Sequence, residues 1–402
     1  MTAINLPEDW SFKALRDLAT INYGKSPKAI LSDDGDIPVV GTGGVERYGS
    51  AFLYDNESII LGRKGTIDKV GYVDGKFWTI DTAYFLSDFQ DAIVKWLFYF
   101  LQTVDFRIMN EATGVPSLSR ELLYKIEIPT PKTEEQAQIA SILSTLDYAI
   151  EQTETIIAKQ QRIKTGLMQD LLTKGIDEHG IIRTEATHEF KSSPLGRIPV
   201  EWGNAKIGDV LTEKPKNGYS PKEVDGWTGT LMLGLGCLST DGFRPVQLKN
   251  APLDDLRLSN ALLKDGDFLI SRSNTRDLVG LVGIFKEIGV PCTYPDLMVR
   301  LRFDSSVNTK FMEFIFRHHL LRSQLTNSAV GTSGSMVKIN AEVITTSCFF
   351  KPNIEEQERI VRLLEQMASE ICELQKYTSK LNSIKFGVMH DLLTGTVRVA
   401  KQ

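Results

Sequence analysis

Gly166-Leu167-Met168-Gln169-Asp170-Leu171-Leu172-Thr173 and Gly387-Val388-Met389-His390-Asp391-Leu392-Leu393-Thr394 are one motif written twice, 221 residues apart. The same offset joins Thr133-Glu134-Glu135-Gln136 and Ile139 to Ile354-Glu355-Glu356-Gln357 and Ile360. An ungapped match over about forty residues marks a segment of constrained length, and such a duplication governs the whole fold reading. Each repeat follows a domain-sized segment, and these segments match weakly too. Leu6-Pro7-Glu8-Asp9-Trp10 parallels Ile198-Pro199-Val200-Glu201-Trp202, and Leu15, Asp17 and Leu18 parallel Ile207, Asp209 and Val210. Further on, Ile37-Pro38-Val39-Val40-Gly41-Thr42-Gly43 resembles Leu231-Met232-Leu233-Gly234-Leu235-Gly236, and Ile59-Ile60-Leu61-Gly62-Arg63 resembles Phe268-Leu269-Ile270-Ser271-Arg272. The order is globule, helix, globule, helix. Alike helices and diverged globules suggest one shared job for the helices and two related but different jobs for the globules.

In the first helix Ile139, Leu143, Leu146, Ile150, Ile157, Leu167 and Leu171 fall on alternating steps of four and three, with Thr153, Gln160 and Lys164 at the intervening positions. That is a heptad seam. The second helix carries Ile360, Leu364, Met367, Ile371, Leu374, Leu381, Val388 and Leu392 in the same phase, with Thr378 and Lys385 between them. Thr133 with Gln136 makes a capping-box pattern, and Glu134 and Glu135 suit the positive end of the helix dipole. A parallel, in-register pair would press Lys164 against Lys385, where desolvation makes repulsion costly. Antiparallel pairing joins positions that sum to 531, so Thr153 faces Thr378 and each lysine faces an apolar residue that its stem can cover. An antiparallel coiled coil is therefore expected. The alternative is that each helix lies on its own globule as ordinary core. Thirty-odd seam residues span roughly 50 Å, however, and a spacer between two domains is the better use of that length.

Both globules mix short β-type runs, at 37–40, 58–61, 70–73, 230–233, 267–270 and 281–285, with one helix-like stretch each, at 91–101 and 310–321. The fold class is α+β: two pseudo-repeated recognition domains separated by two long helices. The expected bounds are 1–132 for the first domain, 133–175 for a central spacer helix, 176–198 for a linker, 199–353 for the second domain and 354–395 for a C-terminal spacer helix. Basic and small polar residues gather at loop-like breaks. The first globule offers Lys25, Lys28, Arg47, Tyr48, Arg63, Lys64, Thr66, Ser117, Ser119 and Arg120. The second offers Lys216, Tyr219, Arg272, Ser273, Asn274, Arg276, Ser335 and Lys338. Arginine and asparagine can form paired hydrogen bonds to a base edge, while serine, lysine and backbone amides hold phosphates, so these are the candidate DNA contacts. One loop taken alone reads as a solvated turn. Arg63 with Arg272, and Arg120 with Lys338, carry more weight because they fall at matched places of the duplication.

With 402 residues, 42% apolar and 24% charged, the chain is long enough for two or three packed domains. Its net charge of −5 is unusual for a protein that works alone on DNA, unless basic residues are concentrated on one face and other surfaces meet protein partners. Cys237, Cys292, Cys348 and Cys372 form no Cys-x-x-Cys pair, which suggests neither a zinc site nor a disulfide framework and fits a reducing cytosol. No signal segment opens residues 1–10, and the apolar run at 92–101, interrupted by Lys95, is too short to span a bilayer.

No catalytic or metal site emerges. Gly41-Thr42-Gly43 is a weak imitation of an S-adenosylmethionine loop, and without a Pro-Pro dipeptide the amino-methyltransferase motif is missing. Gly24-Lys25-Ser26 imitates the end of a phosphate-binding loop, but Ala19 stands where its first glycine belongs. Pro295-Asp296 is followed by no acid-x-Lys element, and the five histidines lack metal spacing, with His318-His319 reading as a surface pair on a helix. A coiled-coil adaptor that binds only proteins is the competing class; the acidic balance favours it and the paired basic loops oppose it.

The two Glu-Gln helix starts, the two Asp-Leu-Leu-Thr helix ends, the closing Gly395-Thr396-Val397-Arg398-Val399 and the Leu195-Gly196-Arg197-Ile198-Pro199-Val200-Glu201-Trp202 that opens the second globule resemble the type I restriction-modification specificity subunit over essentially the whole chain. The resemblance implies a non-catalytic subunit that binds double-stranded DNA at two short half-sites around a nonspecific spacer. It further implies two modification subunits that carry S-adenosylmethionine and methylate adenine, ATP-driven restriction subunits requiring Mg2+, a cytoplasmic setting and no cofactor in this chain. A methylation-only or other phage-defence complex is the alternative setting. Two departures stand out: Ile354 replaces the threonine at 133, and Lys174-Gly175 differs from Gly395-Thr396 after the helix.

Overall fold

The structure, a computed structural model, describes residues 6–110, 112–252, 255–331 and 336–399; of the candidate contacts, Ser335 lies outside them. In chain order its α-helices are α1 (Leu15–Leu18), α2 (Val94–Leu101), α3 (Arg120–Tyr124), α4 (Thr133–Thr173), α5 (Thr309–Arg317), α6 (His319–Asn327), α7 (Ala341–Thr346) and α8 (Ile354–Thr394). The chain divides into two compact units, Met1–Ile157 with Glu373–Gln402, and Ala158–Cys372, so that each long helix begins in one unit and ends in the other.

In the first unit a four-stranded antiparallel sheet runs in the order Thr20–Tyr23, Ala83–Ser87, Ser58–Gly62, Val70–Val73. Every residue of Ser58–Gly62 and Ala83–Ser87 is buried, which is why these strands read as unbroken apolar runs rather than alternating ones. A second sheet orders Gly44–Gly49, Ile37–Gly41, Lys76–Thr79 and Tyr54–Asp55, with Ile37–Gly41 parallel to Lys76–Thr79. The second unit repeats the plan. Lys216–Asn217, Met298–Leu301, Phe268–Ser271 and Val282–Ile284 form its antiparallel sheet, and Leu231–Leu233 runs parallel to Cys292–Thr293 in the other. The class is α+β, as expected, and the duplication extends through the globules.

One expected helix is two. The stretch at 310–321 breaks at His318, whose extended backbone ends α5 and precedes α6. His318 is buried rather than a surface residue, packed among Leu172, Leu195, Ile315 and Phe350. Burial, helped by the neighbouring His319 ring, pushes its pKa down to about 4, and its Nε2 has no hydrogen-bond partner.

The two long helices pack together in antiparallel fashion within each unit. In the first, Ile139, Ala140 and Leu143 of α4 share one apolar core with Met389, Leu392 and Leu393 of α8, and Lys385 Nζ meets Asp147 Oδ1 at 2.5 Å. In the second, Leu171 and Leu172 of α4 share a core with Ile360, Val361 and Leu364 of α8. Between these rooted ends only seam residues escape full exposure from 151 to 166 and from 372 to 387: Thr153, Ile157, Gln160, Lys164 and Leu374, Thr378, Leu381, Lys385. The Thr153 and Thr378 hydroxyls donate to the carbonyls of Ala149 and Leu374 four residues back, which satisfies them inside the seam. The expected partner of Lys385 was an apolar residue. Its ammonium instead pairs with Asp147 and lies over the Tyr99 ring, because Tyr99 donates to Asp147 and holds that carboxylate in place. Among the described residues Lys164 has no such ion pair, and desolvation lowers its pKa. The ordinary-core reading thus holds for the helix ends and the coiled-coil reading for their middles.

The repeated Glu-Gln pair turns out to be a double socket. Gln136 does not close a capping box. Its Oε1 accepts Ile93 N–H and its Nε2 donates to the Asp91 and Pro131 carbonyls, anchoring the start of α4 to α2. Gln357 does the same for α5, accepting Asn308 N–H and donating to Ser306 and Pro352. Glu135 accepts Trp10 Nε1–H at 3.1 Å and two N–H bonds from Arg398, which also grips Asp9. Glu356 accepts Trp202 Nε1–H at 3.1 Å, Ile176 N–H and the Arg183 guanidinium. The glycine ending each helix, Gly175 (φ 67°) or Gly395 (φ 75°), touches this clamp. A Cβ on Gly175 would lie 2.2 Å from Glu356 Oε1, and one on Gly395 2.8 Å from Pro7. The departure noted after the helices is therefore a one-residue shift that leaves glycine in the same role.

Candidate DNA interface

Four loops of the first unit converge where the inner sheet ends. Arg63 and Lys64 both donate backbone N–H to Thr82 O, Leu118 N–H returns to Arg63 O, Lys64 bridges Ser117, and Lys25 N–H donates to Thr79 O. The Arg63 guanidinium donates to Asp81 O at 3.0 Å and lies over the Tyr23 ring, 4.9 Å from its centroid. Arg120 covers Tyr23 as well, at 5.2 Å. Lys25, Lys64, Arg63 and Arg120 are thus brought together. Ser119 is spent locally, capping α3 by accepting Leu122 N–H, and Thr66 O accepts the Thr42 hydroxyl. Arg47 and Tyr48 stand exposed on Gly44–Gly49, and Lys28 lies exposed in the preceding loop; among the described residues no hydrogen bond or ring contact joins them to the Arg63 group.

The second unit builds the same junction from other residues. Arg272 N–H donates to Leu297 O and Ile339 N–H to Arg272 O, the counterparts of the Arg63 bonds, while Ser273–Asn274 pairs with Val337–Lys338. Arg63 and Arg272 are equivalent on this geometry. Arg120 and Lys338 are not: Lys338 occupies the place of Ser117, and the residue matching Arg120 is Ala341, each following the cap of a short helix, Ser119 or Asn340. Ser273 is buried, the Asn274 side chain accepts Thr275 N–H, and Arg276 donates to Thr326 O. Tyr219 gives its hydroxyl to Asp255 and its ring to Arg257, 4.5 Å away. Lys216 lies on the edge strand of the sheet.

Arg183, Arg300, Arg302 and Arg398 all sit against carboxylates. Among the described residues, Lys25, Lys28, Arg47, Arg63, Lys64, Arg120, Lys216, Arg272, Arg276 and Lys338 have no carboxylate within ion-pair distance. Other described lysines and arginines, Lys95, Lys206 and Arg362 among them, are likewise without an ion pair, so what marks the candidate set is its clustering around Arg63 and around Arg272.

Residues 7–160 match the family described as type I restriction modification DNA specificity domain. The MjaVIII specificity subunit of Methanocaldococcus jannaschii is 25% identical in an alignment covering 99% of this chain and 95% of that protein. The EcoKI specificity subunit of Escherichia coli is 24% identical over 62% of this chain and 52% of its own length. In fold, the type I restriction-modification S subunit of M. genitalium superposes with a TM-score of 0.62 at 13% identity, covering 98% of both chains. A further chain, from the assembly of a type I restriction-modification system, gives 0.55 at 17% identity, covering 98% of this chain and all of that one. Along nearly its whole length the chain is similar to a type I restriction-modification specificity subunit.

Proposed function

We propose that this chain is the DNA sequence-specificity subunit of a type I restriction-modification enzyme, with each globule reading one half of a bipartite target. The observation that carries this reading is the row of unneutralised basic side chains around Arg63 and its counterpart Arg272, where phosphates and base edges would supply the missing counter-charge. The coiled coil sets the distance between half-sites. It also offers docking for two modification subunits: Ile156 and Ile163 on α4, and Tyr377 and Ile384 on α8, are exposed, seven residues apart on each helix and related by the 221-residue offset. The chain itself performs no chemistry. S-adenosylmethionine, ATP and Mg2+ belong to the modification and restriction subunits, and the complex works in the cytoplasm. Among the described residues no helix is long and apolar enough to cross a membrane.

The test is to map N6-methyladenine in DNA exposed to the chain together with its cognate modification subunits. Two short methylated blocks about one helical turn apart are expected. Methylation with no sequence pattern, or none at all, would favour a protein-only adaptor.

A further inference from the structure

Among the described residues the first unit carries a structure that the second lacks: a row of alternating arginines and tyrosines. Arg63 lies 4.9 Å from the centre of the Tyr23 ring, Arg120 lies 5.2 Å from the same ring and 6.0 Å from that of Tyr124, and Arg16 lies 5.9 Å from Tyr124. The two rings are held from behind. Tyr23 packs edge-on against Tyr84 at 5.2 Å, and the Tyr124 hydroxyl accepts Ile21 N–H at 2.9 Å. Guanidiniums lying over aromatic faces keep their hydrogen-bonding edges available at little further entropic cost.

Three like charges so close together repel one another, and a purely structural cluster would include a carboxylate to offset that cost. Among the described residues none pairs with Arg16, Arg63 or Arg120; the nearby Asp17 accepts its own helix-start N–H at Ala14 instead. The Arg120 Nε is buried without a partner. In the second unit the corresponding places hold Gly208, Asn217, Ala341 and Thr345, with Arg272 alone retained.

The geometry points to this row as a phosphate-gripping track for the first half-site only: Arg16, Arg63 and Arg120 hold successive stretches of one DNA strand's backbone, and Tyr23 is the positioning residue that keeps two of them in line. The inference rests on the DNA-reading function proposed above. It makes the two half-site contacts unequal, with the first more dependent on charge.

The experiment measures DNA affinity against salt for the chain assembled with its own modification subunits, using a mixed-sequence duplex and a duplex carrying the methylation-mapped target. Each of Arg16→Gln and Arg120→Gln should lower the slope of log affinity against log salt by about 0.9 and weaken both duplexes alike. Tyr23→Leu should weaken binding with the arginines intact, and Tyr23→Phe should restore it. Arg16 is exposed, so its replacement leaves the fold in place. Failure of the unsubstituted complex to bind either duplex would overturn the DNA-reading function and the track with it. Normal binding with slopes unchanged in both arginine variants would overturn the track alone. So would a loss confined to one base position at constant slope, which would mean that these arginines read bases.

Discussion

The two clamps at the helix roots use the same four residue types in different surroundings. In the second unit Arg183 and Glu356 have side chains only 8% and 1% exposed, whereas in the first Arg398 and Glu135 are 37% and 12% exposed. Glu356 receives four hydrogen bonds, one of them from the backbone of Ile176, just beyond the end of α4. Glu135 receives three, and its arginine comes from the segment beyond the end of α8. A buried ion pair is expensive to break because one charge is left stranded in low dielectric, while a partly exposed one is screened by water. The same contact is thus a structural keystone in one unit and a modest fastening in the other. In the first unit a direct hydrogen bond from Arg398, at the surface, lowers the Asp9 pKa.

The largest expected effect comes from breaking the buried clamp. Glu356→Gln should destabilise the protein by about 3–5 kcal/mol in chemical denaturation, since the Arg183 charge would remain buried without its partner. A loss equal to that of the exposed clamp would erase the distinction. Next comes pH. His318 closes α5 in the second unit, whereas the matching helix α2 ends on exposed Gln102, so acid sensitivity from this source should appear in one unit only. With a folded pKa of about 4 against 6.5 unfolded, the unfolded chain binds the proton first as pH falls. Stability is therefore complete above 6.5 and declines toward 4, by at most about 1.4 kcal/mol per pH unit. Unfolding of the His318→Phe variant over that range should show a shallower decline than the parent; identical profiles would remove His318 as the cause. The smallest effect is that of Arg398→Ala, expected at about 1 kcal/mol or less in the same denaturation assay.

How much of this could be read from the sequence depended on whether the residues concerned were repeated in order along the chain. The seam from Ile139 to Leu171 and its copy from Ile360 to Leu392 were visible because a helix converts local spacing directly into a face. Arg63 and Arg272 were visible because each follows a matching buried strand. Arg183 and Arg398 were not, since they stand 215 rather than 221 residues apart, out of step with the duplication, and meet their glutamates only after folding. The Arg16, Tyr23, Arg120 and Tyr124 row was hidden because its members are brought together from residues as far as 108 positions apart. The duplication read along the chain matches Arg120 to Lys338, whereas the strand register aligns Lys338 with Ser117. The pattern Thr-x-x-Gln predicts a capping role for Gln136. Its amide is used instead across the chain, on α2 and its approach, which local spacing does not encode.

The central claim, that paired antiparallel helices fix the separation of two unlike DNA-reading heads, is tested most directly by lengthening both helices together. A matched insertion of one heptad, after Thr153 in α4 and after Thr378 in α8, keeps the seam in phase and adds about 10 Å of helix, equivalent to about three base pairs at about 3.4 Å each. The gap between methylated half-sites should widen by about that amount while both half-site sequences stay the same. An unaltered gap, with methylation retained, would contradict the account.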